Sequence, residues 1–162
     1  MVATIAISVT LLSSKTTFRN ATIKPFSLKV TKEYRVAEKI RELVDPNSIV
    51  VCPISVTSWL TTLHKQPYPL VARNIYIAQQ VHYLGRAEVR ERIALNNYIV
   101  GNKSGGKASQ KFRELLEKYN VQVICVANDN KRKRRIENRI SQAGYKFVAK
   151  KAKHKIWLKT GT

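Results

Sequence analysis

The stretch Val121-Gln122-Val123-Ile124-Cys125-Val126-Ala127-Asn128-Asp129-Asn130-Lys131-Arg132-Lys133-Arg134-Arg135-Ile136 passes from apolar to strongly basic within a few residues. Residues 121–127 are apolar and largely β-branched, which predicts a buried strand. Asn128-Asp129-Asn130 is turn chemistry and supplies an N-cap. The helix that follows runs from about Lys131 to Gln142, with Ile136 and Ile140 on one stripe that docks on a core while the charges stay outside. Ala143-Gly144 ends it. Beyond it, Tyr145 to Lys150 and His154 to Lys159 alternate like the two arms of a hairpin. Before the strand, Ala108, Phe112, Leu115, Leu116 and Tyr119 trace one face of a further helix. The order from residue 107 onward is therefore helix, strand, helix, strand, strand.

Farther out, Gly101-Asn102-Lys103-Ser104-Gly105-Gly106 is the glycine cluster of the chain and the expected hinge. It separates a supporting part, residues 1–100, from a module over 107–162. In the supporting part Val36, Ala37, Ile40, Leu43 and Val44 recur at helical spacing until Asp45-Pro46-Asn47, and Ile49 to Cys52 reads as an interior strand. A short helix carrying Trp59, Leu60 and Leu63 follows Pro53. The region after Pro69 is mostly helical, best defined from Arg86 to Asn96. Residues 1–32 contain no acid; alternation of Ile5, Ile7, Val9 and Leu11, and of Phe26, Leu28 and Val30, favours strands, with an organelle transit peptide as the alternative. The fold class expected is α+β: a mixed α/β N-terminal part, then a basic helix and a β-hairpin, either winged-helix-like or αββ.

Composition narrows the partner. In 162 residues, 30 Lys and Arg face 10 Asp and Glu, giving a formal charge of +20, while 44% hydrophobic residues suffice for a core. Such self-repulsion points to a polyanionic partner. Residues 131–162 alone hold twelve Lys or Arg against one acid, Glu137. No run is long and apolar enough for a membrane span. Cys52 and Cys125 stand apart within apolar runs, as reduced core residues of an intracellular protein of the cytoplasm or nucleoid. The residues expected to meet nucleic acid are Lys131, Arg132, Lys133, Arg134, Arg135 and Arg139 on the helix, and Lys146, Lys150, Lys151, Lys153, His154 and Lys155 on the hairpin.

Residues 130–160, a helix closed by Ala-Gly-Tyr and followed by a basic hairpin, resemble the recognition helix and wing of a winged helix-turn-helix domain, with strand-like residues where the turn would stand. That resemblance implies duplex DNA, the partner preferred here. The string Gly144-Tyr145-Lys146-Phe147-Val148-Ala149-Lys150-Lys151-Ala152-Lys153-His154 is also similar to the helix and hairpin of the HicA family of mRNA-cleaving toxins. It implies an RNA-directed factor, ribosome-associated or ribonucleolytic, with His154 at the position of the family's catalytic histidine.

Two further enzymatic readings compete with plain binding, a P-loop-type nucleotide-binding enzyme and a metal-dependent nuclease. Gly101 to Lys107 has the glycine and lysine spacing of a Walker A loop, but Ala108 stands where Ser or Thr would bind magnesium. Glu88, Glu91, Glu114 and Glu117 read as solvated helix surface rather than a metal-binding pair. His64 and His82 have no Cys or acid at ligand spacing. The expectation is a non-catalytic nucleic-acid-binding protein without cofactor or metal, acting mainly by phosphate neutralisation with limited sequence readout.

Overall fold

The computed structural model describes residues 31–63, 65, 67–101, 106–128 and 132–161. The strands expected within residues 1–30, the hinge residues 102–105 and the turn residues Asp129, Asn130 and Lys131 lie outside the described residues. Among the described residues the order is α1 Lys32–Leu43, β1 Ile49–Val51, α2 Ile54–Leu60, β2 Tyr68–Pro69, α3 Asn74–Gln79, α4 Val81–Ile99, α5 Gly106–Lys118, β3 Val121–Ala127, α6 Lys133–Gln142, β4 Tyr145–Lys151 and β5 His154–Lys159.

The five strands form one mixed sheet in the order β2-β1-β3-β5-β4. β1 lies parallel to both β2 and β3, whereas β5 runs antiparallel to β3 and to β4. Helices cover both faces, as the apolar composition of β3 demands. On one face Val36, Ala37 and Ile40 of α1 and Val56 and Leu60 of α2 pack on Val50, Cys52, Val123, Cys125 and Ile156. On the other, Leu95, Tyr98 and Ile99 of α4, Phe112, Leu115 and Leu116 of α5, and Ile136 and Ile140 of α6 pack on Val51, Ile124, Val126 and Trp157. The alternation of β3 thus splits its side chains between two cores. One irregularity interrupts it near Gln122, where the register against β1 shifts. There the main-chain N–H of Ile49 donates to Gln122 Oε1 at 2.6 Å, which satisfies a group the ladder leaves behind.

Residues on both sides of the expected hinge share this architecture, because β1 pairs with β3 and α4 joins α5 and α6 in one core. α6 follows a central strand rather than a helix and a tight turn, and β4–β5 extends the sheet instead of standing off as a wing. The molecule is a mixed α+β fold of six helices and five strands among the described residues, and residues 133–159 run helix, strand, strand. Gly144 ends α6 with φ +87°, a conformation that admits glycine readily, and lets Tyr145 turn back into the sheet. α4 is broken at Gly85, whose φ of 76° and ψ of 158° are not helical.

Candidate nucleic-acid interface

The site is built by chain direction. β1, β2 and β3 are parallel, so their carboxyl ends lie along one edge of the sheet, and the chain leaves that edge into α2, α3 and α6. β5 runs the opposite way, which brings the β4–β5 turn to the same edge: His154 pairs with Ala127, and the N–H of Asn128 donates to the carbonyl of Lys153 at 2.7 Å. α5 leads into β3 through residues 119 and 120, and therefore also starts here. The Arg132 guanidinium donates to the carbonyl of Gly101, tying the start of α6 to the end of the α4 region.

This edge gathers cations that the sequence scatters over eighty residues. Arg132, Lys133, Arg134 and Arg135 are exposed and line one shallow concavity. Lys150, Lys151 and Lys153 are exposed on and beside the adjoining turn, and Lys107 stands exposed in the first turn of α5. Arg73, just before α3, is exposed at the carboxyl end of β2. Lys107 and Arg73 were not among the expected contacts. Lys107 follows the glycine loop that reads as a hinge or a Walker A motif, and Arg73 follows a strand too short to leave a pattern.

The first turn of α6 contains no acid, and its N-terminus has no side-chain cap. Unpaired main-chain N–H groups at a helix start carry partial positive charge, so placing Lys133, Arg134 and Arg135 there adds like to like. An anion at this spot turns that repulsion into attraction.

The structure removes three of the expected residues from the open surface. Arg139 is 5% exposed. Its Nε donates to Ser109 Oγ at 3.2 Å, and its guanidinium lies 5.6 Å from the Tyr98 ring and 6.0 Å from the Phe112 ring. Burial pushes its pKa down, the attraction of Tyr98 opposes that shift, and Arg135 adds to it. This residue is a clamp between α6, α5 and α4, not a phosphate contact. His154 is 6% exposed and alternates with the buried Ile156 toward α1 and α2, so its ring is closed to a substrate. Lys155 is half-buried and ion-paired with Glu137 at 2.8 Å, bracing the hairpin against α6.

Lys146 is exposed but sits at the other end of β4, near the Tyr145–Lys159 pair. Five residues along a strand separate it from Lys151, about 17 Å. The aromatic residues of the hairpin are mainly structural: the Tyr145 hydroxyl donates to the carbonyl of Val121 at 2.7 Å, and Trp157 is buried with Phe147 edge-on at 5.9 Å.

The Walker A reading loses its scaffold. Such a loop joins a strand to a helix, whereas Tyr98 and Ile99 end α4. Among the described residues no group of three His, Cys, Asp or Glu could hold a metal ion, and no helix is long and apolar enough to cross a membrane. No protein-family model, curated protein or solved structure matches the chain.

Proposed function

We propose that this protein binds nucleic acid, duplex DNA ahead of RNA, by neutralising phosphates along the carboxyl edge of its sheet. The observation that carries the reading is the gathering of exposed Arg132, Lys133, Arg134 and Arg135 with Lys150, Lys151 and Lys153 on that edge. Arginine forks and lysine ammoniums bind phosphate oxygens, and the duplex backbone presents such oxygens at regular spacing. Duplex DNA is preferred because the helix start and the two-strand turn adjoin, with the hairpin held to α6 by the Lys155–Glu137 ion pair, and such a pair of elements suits a duplex groove. Affinity on this reading is mostly electrostatic, with little base readout.

The test is fluorescence anisotropy of the full chain with labelled duplex DNA, single-stranded DNA and RNA at several salt concentrations. With about five to eight phosphates engaged, log K falls against log salt with a slope of about −4.5 to −7 on duplex DNA. A salt-insensitive complex, or none, overturns the proposal. Preference for RNA over both DNAs, with cleavage of the RNA, would instead support the ribonuclease reading.

A further inference from the structure

Beside the basic edge lies a groove between α2 and α3, with about 380 Å³ of free space, lined by Ile54, Thr57, Ser58, Thr61, Arg73 and Tyr76 among others. We infer that this groove receives one unpaired nucleotide of a strand bound along the basic edge, its base stacked on Tyr76 and its phosphate held by Arg73. The inference deepens the proposed nucleic-acid binding and rests on it.

Four observations converge on this ligand. Tyr76 is 53% exposed on a helix whose next residue, Ile77, is 2% exposed, so an aromatic face is offered while its neighbour anchors the helix. Base stacking on such a ring tolerates every base, because each has a π-face. Arg73 is exposed at the same groove, and the sequence from residue 46 to residue 87 contains no acid to compete for it.

The polar wall is the third. Ser58 Oγ donates to the carbonyl of Ile54 at 2.9 Å, and Thr57 Oγ1 donates to the carbonyls of Cys52 and Val71 at 3.3 Å each. With its proton turned back to the main chain, the Ser58 hydroxyl presents an acceptor to the amino or imino groups of a base.

Position is the fourth. α2 leaves β1 toward one face of the sheet and α6 leaves β3 toward the other, so the carboxyl ends of β1 and β3 form a switch point, the usual place for a ligand crevice in a parallel sheet. The groove lies on one side of that point and the Arg132–Arg135 concavity on the other. β2 and β3 are two strand spacings apart, about 10 Å, and both end on the same edge of the sheet.

The experiment compares the full chain on a blunt duplex and on the same duplex with a four-nucleotide unpaired tail, in DNA and in RNA, with a free mononucleotide as competitor. The tail should tighten binding by about tenfold, the effect of one base on one aromatic ring. Tyr76→Ala should abolish that gain and leave blunt-duplex affinity within about twofold, while Tyr76→Phe retains it; Arg73→Gln should abolish the gain as well. Circular dichroism checks that each variant is folded. A gain confined to DNA or to RNA tails identifies the natural strand, and displacement of the tail alone by the mononucleotide supports a single-nucleotide pocket. A tail that adds nothing, or a gain that survives Tyr76→Ala, overturns the inference while leaving blunt-duplex binding intact. Failure to bind any nucleic acid would sink the parent proposal as well.

Discussion

Replacing Lys133, Arg134 and Arg135 together with Gln separates what the start of α6 does for the fold from what it does for a ligand. The three side chains are exposed and stand in a first helical turn without an acid. Each sits at the positive end of the helix, where a like charge costs about 0.3 kcal/mol at surface exposure, so the triple variant gains about 1 kcal/mol of stability. For a domain of this size that is a rise in Tm of about 3 °C. Binding moves the other way. If Arg132, Lys133, Arg134, Arg135, Lys150, Lys151 and Lys153 each neutralise one phosphate, the salt slope is about −6, and losing three brings it to about −3.6. At 0.1 M salt the affinity falls by a factor on the order of 10² to 10³. Differential scanning fluorimetry and anisotropy titrations at four salt concentrations read both quantities on one preparation. An unchanged slope would show that phosphate contacts lie elsewhere, and a lowered Tm would show that these cations hold the fold rather than strain it.

The buried cation behaves oppositely: Arg139→Ala should lose about 1 to 3 kcal/mol in urea denaturation, through its hydrogen bond and its two ring contacts, with the salt slope unmoved. Burial pushes the Cys52 thiol up to about 12 and holds Cys125 well above its ordinary value, so a thiol reagent at neutral pH should leave both untouched until denaturant opens the core. Rapid labelling of the native protein would contradict the two-core packing. Glu91 accepts hydrogen bonds from Lys118 Nζ and from the Tyr119 hydroxyl, each at 2.6 Å, and the Lys118 bond first and the Tyr119 bond second hold its carboxyl below the usual value. Its folded pKa being the lower one, its contribution is complete above the unfolded pKa and disappears as pH falls through the folded one. Glu91→Gln should therefore flatten the acid limb of the stability curve, and an unaltered limb in urea melts would show that the pair is not formed in solution.

Much of the fold was legible because its elements carry strong periodicity. The α1, α5 and β3 patterns, and the helix and hairpin that follow β3, stand where apolar spacing puts them, with α6 beginning at Lys133. β2 was not legible, since two residues, one of them Pro69, leave no alternation; proline is tolerated because the strand lies at the sheet border. Tyr98-Ile99-Val100, which ends α4, is a short apolar run that suits a strand or a helix end equally. Within the site, the residues that moved off the surface had a readable signal. Arg139 is three positions after Ile136 and beside Ile140, hence on the docking stripe, and His154 alternates with Ile156 and Leu158. What periodicity could not supply was strand order, and strand order is what gathers Arg73, Lys107, Arg132 and Lys153 on one edge while sending Lys146 to the far end.

Among the described residues β4 borders the sheet, with no strand paired to its outer side. Lys146, Lys150 and Lys151 stand along it, so two molecules approaching rim to rim would first meet mutual repulsion. The lysines of this border strand thus guard it against edge-to-edge joining with another molecule.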